Sequence, residues 1–122
     1  MANIVLIDDD DALRKVLRIL LERLGHSVCE LSGGDVILEG RLGHVPEVVL
    51  TDVFMPRGEG METIRAIRTQ YPHARVIAMS GGIPGIDPRK ILRWARDLGA
   101  NQALTKPFTP ADLSLALENV AA

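Results

Sequence analysis

A chain of 122 residues with 47% apolar content is long enough for one domain that buries its own core. A formal net charge of −2 and only 3% aromatic residues speak against sequence-independent nucleic-acid binding, which needs a clustered basic excess and rings to stack on. The lone Cys29 excludes an internal disulfide, and the sequence offers neither a cationic-apolar leader nor a long apolar run, so a cytoplasmic protein without membrane insertion is expected.

Apolar runs alternate with amphipathic stretches five times, the pattern of strands joined by crossover helices around a parallel sheet. Residues 4–7 read as a first strand that stops at Asp8-Asp9-Asp10-Asp11, where Asp10 or Asp11 serves as a helix cap. Leu13, Val16, Leu17, Leu20 and Leu24 then fall at helical spacing and predict a first helix with that face on the sheet, ended by Gly25. Ser27–Leu31 is a second strand, more alternating and therefore expected at a sheet edge, with Cys29 as a small core residue. Residues 35–42 read as a short second helix. The run from Val48 to Asp52 is apolar until its end, as in a strand buried on both faces, and it closes on a carboxylate. A third helix is predicted over 60–69 with Ile64 and Ile67 inward, and a fourth strand over 76–79, closing at Ser80. Residues 81–88 are dense in Gly and Pro and form a loop; its last pair, Asp87-Pro88, is an N-cap and first-turn signal for a fourth helix that stops at Gly99 and carries Trp94 at the core edge. Gln102–Thr105 is the fifth strand. After Lys106-Pro107, Thr109 and Asp112 cap a last helix with Leu113, Leu117 and Val120 inward.

Right-handed crossovers put the carboxyl ends of all the strands along one sheet edge. Asp8 and Asp9 stand there after the first strand, Asp52 after the third, Ser80 after the fourth and Lys106 after the fifth. Carboxylates crowded together repel one another unless a cation sits among them, and a hard oxygen set without His or Cys in the pattern suits Mg²⁺ or Mn²⁺ better than zinc. Asp52 is then expected to be a phosphoryl acceptor, with Ser80 and the backbone N–H of Gly81 binding phosphoryl oxygens and Lys106 supplying positive charge. Singly, each has a blander reading: an acidic run caps helices, Asp52 or Ser80 is a polar turn residue, Lys106 is a solvated charge. Their joint placement favours the functional one. His26, His44 and His73 are scattered, and Arg89, Lys90, Arg93 and Arg96 read as a solvated basic face.

These residues resemble the receiver domain of two-component response regulators over essentially the whole chain. The motifs that carry the resemblance are Leu6-Ile7-Asp8-Asp9-Asp10, Asp52-Val53-Phe54-Met55-Pro56 with Gly60 behind it, Ser80-Gly81, and Lys106-Pro107-Phe108. The resemblance implies a single receiver domain over residues 1–122 with no output domain in this chain. It also implies a flavodoxin-like (CheY-like) α/β fold: a doubly wound five-stranded parallel sheet in the order 2-1-3-4-5 with five helices. By the same resemblance, Asp52 accepts a phosphoryl group from the phosphohistidine of a histidine kinase or histidine phosphotransfer protein. Asp9, Asp52 and the backbone carbonyl of Phe54 bind Mg²⁺ (or Mn²⁺) directly, and Asp8 binds it through water. Ser80 is similar to the hydroxyl residue that moves toward the phosphoryl group, Lys106 to its ion-pair partner, and the Lys106–Pro107 bond is expected to be cis. Partner kinases are expected near the top of the first helix and the loop after the fifth strand, which makes Leu13, Ile19, Pro107 and Phe108 candidate contacts. The domain is expected to promote only its own phosphorylation and dephosphorylation, to act on a downstream protein target rather than directly on nucleic acid, and to be a monomer or a phosphorylation-dependent homodimer.

Two positions depart from the pattern. Ala103 stands where relatives usually carry an aromatic residue, so coupling through a ring that follows Ser80 inward is not available, and the signal is expected to leave through the 81–88 loop and the fourth helix. Phe54 stands where relatives often carry a polar residue that orients a hydrolytic water, which implies a relatively long-lived aspartyl phosphate. An unphosphorylated scaffold of the same fold is the alternative; the complete set Asp8, Asp9, Asp52, Ser80 and Lys106 opposes it. A phosphatase with an aspartyl nucleophile resembles other such enzymes only with a second Asp at position 54, and a P-loop site needs a Gly-rich loop ending in Lys-Ser or Lys-Thr after the first strand.

Overall fold

A computed structural model describes residues 2–53, 60–81 and 84–121, with side chains through residue 118. Strands and helices alternate along the chain: β1 (Asn3–Ile7), α1 (Asp11–Arg23), β2 (Ser27–Leu31), α2 (Asp35–Leu38), β3 (Val48–Asp52), α3 (Gly60–Gln70), β4 (Arg75–Ser80), α4 (Pro88–Asp97), β5 (Gln102–Thr105) and α5 (Pro110–Ala121). The strands form one parallel sheet in the order β2-β1-β3-β4-β5. The expected doubly wound five-stranded α/β fold is therefore the fold observed, with β2 at one edge.

Side chains on a strand alternate between faces, and this alternation divides the core in two. Val5, Ile7, Val49, Val76 and Ala78 point to one side, where they meet Ile37 of α2, Ile64 and Ile67 of α3, and Ile91 and Ala95 of α4. Ile4, Leu6, Leu50, Ile77 and Met79 point to the other, against Leu17 and Leu21 of α1 and Leu113 and Ala116 of α5. Full burial of such a side chain is worth about 1.5–3 kcal/mol, so β1, β3 and β4, apolar on both faces, form the rigid centre from which the loops extend. Among the described residues no helix is long and apolar enough to cross a membrane.

Several local expectations need correction. On α1, Leu17 and Leu21 are buried in the core and Leu13 packs half-buried against it, whereas Val16 is 53% and Leu24 51% exposed. Leu24 is the C-cap, where the chain already leaves the helix: His26 N–H donates to Leu21 O at 3.1 Å around Gly25 at φ 94°. Val16 belongs to a second apolar stripe, described below. The second helix ends at Leu38 instead of 42, because Gly40 takes φ 67° and Arg41 N–H closes back onto Val36 O at 2.8 Å. Trp94 is 48% exposed on α4 rather than packed at the core edge, and the side chain of Val120 lies outside the described residues. The capping expectations hold for Asp10, whose carboxylate accepts from Leu13 N–H, and for Thr109 and Asp112, which bond each other's backbone N–H reciprocally.

Gly60 opens α3 directly against the backbone of Val53, one residue beyond Asp52, and a Cβ there would overlap the Val53 carbonyl. Backbone cannot yield as a flexible side chain can. Gly60→Ala is therefore expected to lower unfolding stability by about 1–3 kcal/mol in urea titration, the range for overpacking. Gly81→Ala, where the nearest atom is the Lys106 Cδ at 3.9 Å, should cost less.

Candidate functional site

The five parallel strands end at one edge, and four of them, β1, β3, β4 and β5, lead into polar residues there. β1 ends at Ile7, and Asp8 directly after it is fully buried. β3 ends at Asp52, 6% exposed, and β4 at the buried Ser80. β5 leads into Lys106, whose backbone N–H donates to Ser80 O at 2.8 Å. The Lys106–Pro107 peptide is cis.

Lys106 Nζ then donates to Asp8 Oδ2 at 2.8 Å and to Asp52 Oδ2 at 3.1 Å, joining residues 98 and 54 positions away in sequence. Asp9 stands exposed beside them, and one carboxylate oxygen from each of Asp8, Asp9 and Asp52 lies within 4.8 Å of the others. Three carboxylates against one ammonium leave a formal charge of −2, which a divalent cation balances. Among the described residues no His or Cys joins this group, and the donors are hard oxygens, so the residues fit Mg²⁺ or Mn²⁺.

Every polar atom of Asp8 is engaged. Its N–H donates to Leu31 O at 3.2 Å and its Oδ1 accepts from Asp10 N–H at 3.0 Å. Its Oδ2 accepts from Lys106, and its carbonyl oxygen accepts from Arg14 Nη1 at 2.7 Å. The placement of Arg14 was not legible in the sequence, where a basic residue on an amphipathic helix reads as solvated.

Asp8, Asp9, Asp52, Ser80, Gly81 and Lys106 are thus gathered at one edge. The carbonyl of Phe54 lies outside the described residues, as do positions 82–83 of the loop after β4. Leu13, Pro107 and Phe108 line an apolar groove of about 460 Å³ between α1 and α5 that opens beside Lys106. Val16 and Leu20 line it too; Ile19, 46% exposed, does not. The second apolar stripe of α1 therefore faces a groove and not the sheet. At the far edge, Ala103 leaves a hollow of about 250 Å³ bordered by Arg89, Leu92, Arg93 and Arg96 of α4.

The fold and these residues define a receiver domain. The response regulator receiver domain family matches the chain over residues 4–118, and the chain belongs to it. Among curated relatives, it is 33% identical over 117 residues to the DNA-binding transcriptional regulator NtrC of Azospirillum brasilense, covering 96% of this chain and 24% of that protein. It is 28% identical over 112 residues to the alkaline phosphatase synthesis transcriptional regulatory protein PhoP of Bacillus subtilis, covering 92% and 45%. The chain spans less than half the length of either. A solved response regulator receiver domain protein from Clostridium thermocellum superposes with a TM-score of 0.84 at 32% identity, over 98% of this chain and 94% of the other.

Burial lowers the pKa of the Lys106 ammonium, but its hydrogen bond to Asp8 and the charges of Asp52 and Asp8 outweigh that and leave it above the ordinary 10.5. A pKa raised on folding stabilises fully below the unfolded value and ceases to do so as pH rises through the folded one. Lys106→Met should cost about 3 kcal/mol at neutral pH. In urea titrations across pH, the gap to wild type should hold to about pH 10 and narrow above it. A gap unchanged through the alkaline range contradicts the pairing.

Proposed function

We propose that the chain is a phosphoacceptor switch of a two-component or phosphorelay system, in which Asp52 takes a phosphoryl group from the phosphohistidine of a histidine kinase or histidine phosphotransfer protein. One observation carries this reading: a single ammonium, Lys106, bonded to two buried carboxylates, Asp8 and Asp52, with Asp9 alongside.

An Asp52 carboxylate oxygen attacks phosphorus, the bond from phosphorus to the imidazole nitrogen breaks, and the departing histidine nitrogen keeps the electron pair and takes up a proton from solvent. Lys106 holds positive charge at the site throughout, the Ser80 hydroxyl and the Gly81 N–H bind phosphoryl oxygens, and burial keeps Asp52 away from bulk water. Asp9, Asp52 and the Phe54 carbonyl would hold Mg²⁺ or Mn²⁺, with Asp8 through water; the cation, when bound, neutralises charge on the incoming group. The aspartyl phosphate then shifts a balance between two conformers that a downstream protein target distinguishes. The setting is the cytoplasm, without direct nucleic-acid contact or membrane insertion, and the domain acts on no substrate other than its own phosphate, as a monomer or a phosphorylation-dependent homodimer.

The donor histidine is carried on a partner that covers the groove between α1 and α5. The groove is apolar, borders Lys106 and exposes Val16.

Incubation with acetyl phosphate and Mg²⁺, followed by intact mass, should add one phosphoryl group to wild type and none to Asp52→Asn; an equal gain in both rejects Asp52 as the acceptor. A second expectation separates docking from chemistry. Val16→Glu should slow transfer from a phosphohistidine donor several-fold while leaving the rate with acetyl phosphate unchanged, and Ile19→Glu, outside the groove, should affect transfer less. Equal effects of the two substitutions would place the contact elsewhere on α1.

A further inference from the structure

We propose that Arg14 is a positioning residue for the acidic site: its guanidinium fixes the peptide between Asp8 and Asp9 and thereby aims both carboxylates at one cation position. The inference rests on the metal-binding phosphoacceptor reading above.

Arg14 lies in the first turn of α1, and its side chain is only 12% exposed. The guanidinium is spread over three partners: Nη1 to the Asp8 carbonyl at 2.7 Å, Nε to Glu30 Oε1 at 3.0 Å and Nη2 to Asp11 Oδ1 at 2.7 Å. Glu30 stands on the edge strand β2, opposite Leu6 of β1, and is itself held from a second side by Arg18 at 3.0 Å. The guanidinium is therefore braced against the sheet before it reaches Asp8.

What it holds there is the main chain. The Asp8 carbonyl and the Asp9 N–H belong to one planar unit that moves as a body, so the bond to that carbonyl sets the rotation of the peptide lying between the two carboxylates. Arg14 also differs from Lys106 in a way that matters for a cation. Lys106 occupies Asp8 Oδ2 and Asp52 Oδ2, oxygens that a metal could use, whereas Arg14 engages no oxygen of Asp8, Asp9 or Asp52 other than a backbone carbonyl. It fixes the ligands without competing for them. Lysine cannot replace it, because one ammonium does not reproduce the planar fork that reaches Glu30 and the carbonyl together.

The test is Mn²⁺ binding, read from the loss of the free-ion signal in electron paramagnetic resonance, with urea stability measured separately without metal. Arg14→Met should weaken Mn²⁺ binding about ten-fold, as loss of a group supporting metal ligands does. Arg14→Lys, which keeps a charge for Glu30, should fold stably and still bind more weakly than wild type. Glu30→Gln loses the ion pair but leaves an oxygen for Arg14 and its bond to Asp8 untouched, so it should lose stability while keeping wild-type Mn²⁺ affinity. Wild-type affinity in both Arg14 variants overturns the proposal, and so does an equal weakening in Glu30→Gln, which would make Arg14 part of a structural clamp only. A wild-type protein that takes up no Mn²⁺ would instead sink the metal-binding reading beneath it.

Discussion

The structure turns on one ammonium shared by two buried carboxylates. Asp8 and Asp52 close neighbouring strands, so their side chains are forced together by the sheet itself, and neither can retreat to solvent without breaking β1 or β3. Lys106 makes that arrangement tolerable, since a buried charge left without its partner costs several kcal/mol. The lysine must arrive from β5, beyond β4 on the far side of β3, and its backbone bond to Ser80 registers it against β4. The parallel order of the strands is thus also the geometry of the site.

The same electrostatics sets what the site is ready to do. One lysine does not neutralise three carboxylates, and the residual negative charge sits where Asp9 is open to solvent. Such an excess of carboxylate over ammonium favours a divalent cation at this edge. Gly60, packed against Val53, allows α3 to begin close behind Asp52, and the groove between α1 and α5 lays an apolar surface beside Lys106. The carboxylate cluster and the apolar groove therefore share one face of the molecule.

Much of this was legible in the sequence. The bounds of β2 and β5 are those expected, and Asp8, Asp9, Asp52, Ser80 and Lys106 could be placed because Asp52 and Ser80 end strands and the other three follow strand ends. The first helix misled for a physical reason. Its apolar residues outnumber those the sheet can cover, so periodicity alone could not say that Leu17 and Leu21 face the core while Val16 and Leu20 line a groove. Trp94 was misplaced because hydrophobicity does not reveal which flank of α4 lacks a neighbour. Arg14 was invisible for a different reason: of its partners, Asp8 follows β1 and Glu30 lies on β2, and no local pattern records such bonds. Ala103 is legible as a missing ring, and its consequence is a hollow beside the basic flank of α4.

The central claim is that Asp52, and no other carboxylate at this crowded edge, becomes the covalent acceptor. Borohydride reduction of the phosphorylated protein followed by peptide mass mapping tests it directly, since the acyl phosphate of an aspartate is reduced to homoserine where it stands. Homoserine at position 52 alone is the predicted result; homoserine at Asp8 or Asp9, or at no position, would contradict it.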